Sequence, residues 1–391
     1  MRLARLLLLP LLGGFVGFST TCSSFNVGGT YSALAADPAQ IVDAGGQQLR
    51  LTRLAQELEH PWSLAFLPDG SMLVTERPGR LRRLDAAGGL DPKPVQGLPT
   101  VAARGQGGLL DVLPDPDFAA NQIIYLSFAA PIQNGAATRV ARARLVGDQL
   151  VDTKILLTAG PIGTTTRHFG SRLAIDADGK LLVTAGDRGE MARAQDMADM
   201  AGKIFRIERD GGIPADNPFL ADPKAAPAIM AYGVRNAQGM AINPWTGAAW
   251  YHEHGARGGD EVNILVPGAN YGWPLVTHGV DYSGLPIGSG KTRPGVTDPV
   301  HVWVPSIAPS GMAFYDSEAI PGWRGSLLVG ALAGNMLVRL ELDGDKVTKE
   351  HRLLEGRLGR IRDVRTGPDG AVYLLTDSSD GALWRLSAEG G

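Results

Sequence analysis

A short apolar run closed by a Pro-, Asp- or Gly-containing turn recurs six times along the chain, at residues 64–70, 110–114, 173–179, 240–244, 312–315 and 364–370. Each is followed by a second β-rich run, at 72–75, 123–128, 181–184, 248–252, 327–329 and 372–376. A third follows after a loop, at 80–84, 139–145, 203–207, 262–266, 336–340 and 382–386. Apolar strands separated by turn residues predict a β-meander in every unit. Successive units begin 46, 63, 67, 72 and 52 residues apart, so the loops vary while the order is kept. That spacing leaves room for four strands per unit, and repeats of this kind pack radially. The sequence therefore predicts an all-β, six-bladed β-propeller of four-stranded antiparallel blades. Residues 49–58 are expected to supply the outer strand that closes the ring with the last blade. A β-sandwich with a second domain accounts less well for six repeats in order.

Composition narrows the picture. The 391 residues include 52 Gly and 26 Pro, about a fifth of the chain against roughly 12 % in average proteins, which excludes long helical bundles. Charges nearly cancel, 37 Lys and Arg against 40 Asp and Glu. The basic residues are scattered, so no nucleic-acid partner is indicated. The one uncharged apolar run, residues 6–18, is too short for the ~20 residues of a spanning helix. It follows Arg2 and Arg5 and reads as a secretory signal, with a Ser/Thr/Gly/Ala-rich linker after it. Residues 1–35 are thus expected to be signal and linker, and 36–391 the folded domain of an exported, periplasmic protein. Cleavage after Ala33-Leu34-Ala35 and lipidation at Cys22 are both open. Cys22 is the sole cysteine, so the folded part has no intrachain disulfide.

The strand register turns sequence into geometry. In an antiparallel blade, the segment leading into the first strand and the loop joining the second to the third share one face of the disc. His60, Gln106, His168, Arg235 and Arg360 each lie four or five residues before a first strand, and Arg362 follows Arg360 on the same side of an extended segment. The expectation is a polar axial pocket. Charges removed from water need partners, so arginines converging there imply an anionic guest, each charge-assisted bond returning about 1.5–3 kcal/mol. The Gly-rich loops 186–188, 255–260 and 331–334 offer carbonyls to a hard cation. His252-Glu253-His254 lacks the i, i+4 spacing of a helical zinc site. His168 is placed differently: an imidazole beside cations stays neutral and suits a general base.

Several long motifs carry a resemblance: Thr166-Arg167-His168-Phe169-Gly170-Ser171-Arg172-Leu173, Tyr232-Gly233-Val234-Arg235-Asn236-Ala237-Gln238-Gly239-Met240, His252-Glu253-His254-Gly255, Gly258-Gly259-Asp260-Glu261, Asn270-Tyr271-Gly272-Trp273-Pro274 and Arg360-Ile361-Arg362-Asp363-Val364-Arg365-Thr366-Gly367. Over residues 58–388 the chain resembles the soluble glucose/sorbosone dehydrogenases that depend on pyrroloquinoline quinone (PQQ), and among them the bacterial aldose sugar dehydrogenases. The resemblance implies a six-bladed propeller and supplies the anion, because PQQ carries three carboxylates. It implies oxidation of an aldose at C1 to a lactone. His168 would take the hydroxyl proton, Arg235 would hold the quinone oxygen and Asp187 would orient His168. Gln106, Asn236, Tyr282, Leu332, Arg360 and Arg362 would contact the cofactor. Calcium would bind the carbonyls of Gly255 and Ala256, and a second, structural calcium Glu261 and the backbone of Tyr271. The chain departs from the pattern at Ala256, where Pro is common, at Ala333, where a cofactor-binding Lys is frequent, and at Ser171, which replaces a frequent Gly. The competing readings are a calcium-dependent propeller lactonase and a sugar-binding propeller without catalysis. The preferred sugar and the electron acceptor leave no readable trace in the sequence.

Overall fold

The structure is a computed structural model that describes residues 39–133, 135–160 and 163–390; the expected signal, the linker and Cys22 lie outside them. Helix is confined, among the described residues, to the short α1 (Phe118–Asn121) and a 3-10 turn at Met191–Gln195. None is long and apolar enough to cross a membrane.

The strands fall into six antiparallel sheets in chain order. The chain opens with β1 (Gln40–Asp43) and β2 (Gln48–Leu58), which belong to the last sheet. Blade 1 holds β3 (Pro61–Phe66), β4 (Met72–Glu76) and β5 (Arg80–Leu84). Blade 2 holds β6 (Leu109–Pro114), β7 (Ile123–Ile132), β8 (Gly135–Val146) and β9 (Gln149–Thr158). Blade 3 has β10 (Leu173–Ile175), β11 (Leu181–Ala185), β12 (Lys203–Ile207) and β13 (Ile229–Tyr232), and blade 4 has β14 (Ala237–Ile242), β15 (Ala249–Glu253), β16 (Asp260–Ile264) and β17 (His301–Trp303). Blade 5 follows with β18 (Pro309–Tyr315), β19 (Ser326–Ala331), β20 (Met336–Asp343) and β21 (Lys346–Leu353). Blade 6 combines β22 (Ile361–Thr366), β23 (Val372–Thr376) and β24 (Gly381–Ala388) with the two N-terminal strands. The first strands of neighbouring blades touch in cyclic order, β22 meeting β3, so the ring is closed.

Burial follows position in the blade. The second strands β4, β11, β15, β19 and β23 are buried along their whole length because a sheet covers each face. The outer β21 is mostly polar and exposed. Apolar clusters fill the spaces between successive blades, as where Tyr125 and Val140 of blade 2 meet Leu173, Val183 and Phe205 of blade 3. The axis is closed by charge: buried Arg172 lies 3.2 Å from both Asp111 and Asp363 and 4.2 Å from the ring centre of Trp62. Those carboxylates also accept the backbone N–H groups of Leu173 and Leu64, so the charges that plug the ring also fix its first strands.

Three expectations need correction in detail. Blade 1 has three strands, with isolated bridges at Val95 and Leu90 in place of a fourth; Pro92 and Pro94 lack the N–H groups a ladder requires. Blade 6 has five, because β2 closes the ring on β24 as expected but β1 pairs on its outer side. The third strand of blade 4 is Asp260–Ile264, two residues earlier than 262–266: Asp260 and Glu261 are charged yet pair with Trp303 and Val302.

Candidate active site

His168 sits in the segment leading into β10, with a left-handed φ of +55°. Its backbone presses on Gly186 of the β11–β12 loop, where an added Cβ would lie 2.3 Å from the His168 carbonyl oxygen. The His168 N–H donates to Oε1 of Gln106 at 2.7 Å, which joins blades 2 and 3. On the side chain, Nδ1 lies 2.6 Å from Oδ1 of Asp187. An ionised carboxylate only accepts, so Nδ1 carries the proton and the lone pair is left on Nε2. Asp187 is held in turn by the Gly189 N–H at 2.7 Å on Oδ1 and by the indole N–H of Trp273 at 2.8 Å on Oδ2. Burial, with Arg235 and Arg167 nearby, keeps His168 below the ordinary imidazole range against the upward pull of Asp187. Burial raises Asp187, but its bond to His168, the Gly189 N–H and the charge of Arg235 outweigh that and hold it ionised.

Arg235 precedes β14. Its N–H donates to Oε2 of Glu253 at 2.5 Å, and its guanidinium donates to the carbonyls of His254 (3.3 Å) and Gly255 and lies 5.2 Å from the ring centre of Trp273. Nε is buried without a partner, and no carboxylate among the described residues pairs with the guanidinium. The next residue, Asn236, accepts the Gly170 N–H at 3.1 Å and leaves Nδ2 buried and unpartnered. Arg362 reaches the same blade, donating to Oε1 of Gln238 at 2.8 Å.

The inference from converging arginines to an anionic guest needs refinement, because two of the three have a carboxylate of the chain itself. Arg362 donates to Oδ2 of Asp377 at 2.7 Å, and Arg360 lies 3.6 Å from the same carboxylate while donating to the Leu332 carbonyl at 3.3 Å. Asp377 also meets Nδ1 of His60 at 2.9 Å, which gives His60 a polar partner as well as its place beside Trp62. Burial raises Asp377, but Arg362, His60 and Arg77 hold it far below the usual carboxylate range. One carboxylate therefore faces several cations, and Nε of Arg362 and of Arg77 remain buried without partners.

Beside Arg235 a cavity of about 10 Å³ is lined by Glu253, Gly255, Glu261, Tyr271 and Trp273. Burial first, and then mutual repulsion, push Glu253 well above the carboxylate range, and burial with Asp260 raises Glu261 to about 7. Oε1 of Glu253 and Oδ1 of Asn263 have no partner. The Gly255 carbonyl accepts from Arg235, and the neighbouring Ala256 is buried in a bridge to Gly258. The Tyr271 hydroxyl donates to the Ile264 carbonyl at 2.5 Å. No group of three or more His, Cys, Asp or Glu side chains suited to a metal occurs among the described residues. His252 and His254 turn Nε2 to the carbonyls of Ser310 and Pro309 and so tie blade 4 to blade 5. Tyr282 is exposed, next to Asp281, which feels the charge of Arg235. Ser171 has φ of +83°, a backbone state that explains a preference for Gly there.

Sequence reasoning assigned no role to Trp273, Asp377, Glu253 or Gln238. Asp377 was within reach, since it lies in the loop joining the second and third strands of blade 6. Trp273 was not: it belongs to the long connection 265–300, whose path no strand pattern fixes.

The family model for glucose/sorbosone dehydrogenase matches residues 58–385. The chain is 45 % identical to the aldose sugar dehydrogenase of Escherichia coli K12 over 362 residues, 91 % of this chain and 95 % of that protein. The apo crystal structure of that E. coli enzyme superposes with a TM-score of 0.85, covering 87 % of this chain and all of the other. A crystal structure of a glucose dehydrogenase at 50 % identity superposes with a TM-score of 0.84, over 86 % and 98 %. The PQQ-bound aldose sugar dehydrogenase of Streptomyces coelicolor, at 28 % identity, gives 0.71 over 89 % and 98 %. With this sequence match and this shared architecture, the chain belongs to the glucose/sorbosone dehydrogenase family.

Proposed function

We propose that this protein is an exported, PQQ- and calcium-dependent aldose dehydrogenase that oxidises the C1 hydroxyl of a sugar to a lactone. The observation that carries the reading is the Trp273–Asp187–His168 chain of hydrogen bonds beside Arg235, whose guanidinium has no carboxylate partner among the described residues. The donor set fits a multiply charged anion: the buried, unpartnered Nε atoms of Arg235 and Arg362 and Nδ2 of Asn236 are orphans of the kind a ligand satisfies. Gln106, Leu332, Arg360 and Tyr282 would complete that surface. The acceptor-rich cavity beside Glu261 fits a hard cation, because two buried carboxylates facing one another repel when ionised and a cation would relieve that repulsion. Glu261 and the Tyr271 carbonyl would hold one calcium. The carbonyls of Gly255 and Ala256 would hold the other once Arg235 turned its donors to the cofactor.

Bound PQQ would supply a two-electron acceptor for hydride from C1, polarised by calcium. The remaining work falls to the chain. Nε2 of His168 takes the hydroxyl proton, while Asp187 keeps the tautomer and stabilises the imidazolium. Arg235 places fixed positive charge where negative charge develops. A cleft of about 580 Å³ lined by Arg104, Gln133, Thr164, Thr165, Thr166 and Phe169, the last two flanking the Arg167-His168 segment, would offer a sugar both hydroxyl partners and an apolar wall.

Protein reconstituted with PQQ and calcium is expected to reduce an artificial dye when given aldoses. Lactone hydrolysis without dye reduction would move the assignment to a lactonase. Sugar binding with neither activity would leave a binding propeller.

A further inference from the structure

We propose that Trp273 is a positioning residue for the proton-accepting dyad, its indole N–H locking the second oxygen of Asp187 so that the carboxylate presents one fixed oxygen to His168. The inference rests on the dehydrogenase reading above and deepens it.

The geometry is specific. Asp187 is buried, and its two oxygens are divided between partners: Oδ1 takes His168 and the Gly189 N–H, and Oδ2 takes the Trp273 indole. Without the indole, Oδ2 would be a buried acceptor with no protein donor, and the carboxylate could rotate about χ2. Trp273 is itself fixed. Its backbone N–H donates to the Gly233 carbonyl at 2.9 Å, and its backbone carbonyl accepts from Gln195 Nε2 at 2.7 Å. Gln195 ends the 3-10 turn that follows Asp187 and exchanges two further hydrogen bonds with Asn270. The loop of blade 3 that carries Asp187 and the connection of blade 4 that carries Trp273 are thus bolted together. The same indole face lies against Arg235, so one side chain sets both the base and the cation beside it.

The indole N–H stabilises negative charge on Asp187 and so weakens the demand of that carboxylate for the His168 proton. The charged and titratable groups around the dyad are Arg167, Arg188, Arg235, Glu253 and His254. Removing the indole N–H leaves these groups in place and makes Asp187 the stronger acceptor, so His168 should protonate at higher pH.

The test compares wild type with Trp273→Phe, which keeps an aromatic face toward Arg235 and loses the donor. In the cofactor-free protein, NMR titration of His168 should move upward by about half a pH unit or more. In the reconstituted enzyme kcat should fall about tenfold with KM for the sugar within twofold, and the acid limb of the rate profile should move the same way. Unchanged His168 titration together with unchanged kcat would overturn the proposal. If the variant does not fold, the wild-type indole proton of Trp273 decides: it should exchange slowly and shift upfield in Asp187→Asn, and a resonance indifferent to that change refutes the bond. A wild type without aldose activity but with the expected shift in His168 titration would sink the dehydrogenase reading and leave the positioning role standing.

Discussion

At the scale of single residues, the candidate site depends on close approach as much as on charge. His168 adopts a left-handed backbone state against a glycine that has no room for a Cβ. Such strain persists only where the surroundings over-determine it. Its imidazole is held neutral by burial and nearby arginines. A base must be unprotonated, so activity should fall only as pH drops through a value below the ordinary ~6.5 of histidine and stay flat above it. His168→Gln should lower kcat by roughly 10²- to 10⁴-fold while PQQ affinity, measured by equilibrium titration, stays unchanged; a loss confined to affinity would make His168 a cofactor ligand. The nearness of Arg235 to His168 was legible because register puts the segments entering first strands on one face. The pairing of Arg362 with Asp377 was not, since it joins a strand to a loop fifteen residues away whose path depends on tertiary packing.

At the scale of elements, the pattern of apolar runs located second strands such as β4, β11, β19 and β23 well because they are buried on both faces and mostly apolar. It failed where chemistry intrudes on the pattern. Asp260 and Glu261 look like loop residues yet begin β16: Glu261 lines the cavity beside Arg235, and Asp260 accepts the N–H groups of Gly255, Ile307 and Ala308. It failed again at outer edges, where β1 pairs through the backbone with little help from its side chains. The closing strand β2 offers a direct check. Leu49 and Leu51 are fully buried between blades 5 and 6, and Leu51→Ala should cost about 2–5 kcal/mol of stability in denaturant unfolding. A cost under about 1 kcal/mol would mean that β2 is not an integral part of the ring.

At the scale of the whole molecule, a closed ring of six sheets makes polar groups distant in sequence into neighbours. Gln106, His168, Arg235 and Arg362 come from four blades, and hydrogen bonds link Gln106 to His168 and Arg362 to Gln238. The buried cluster of Arg172, Asp111 and Asp363 closes the axis and ties four first strands together. On this account the ring holds one anionic cofactor from several sides. The most direct measurement is calorimetric titration of PQQ, in calcium, into wild type, Arg235→Ala and Arg360→Ala, with circular dichroism to verify folding. Each substitution, made in a different blade, should weaken binding by about tenfold or more. Wild-type affinity in either folded variant would contradict the convergence of blades 4 and 6 on a shared guest.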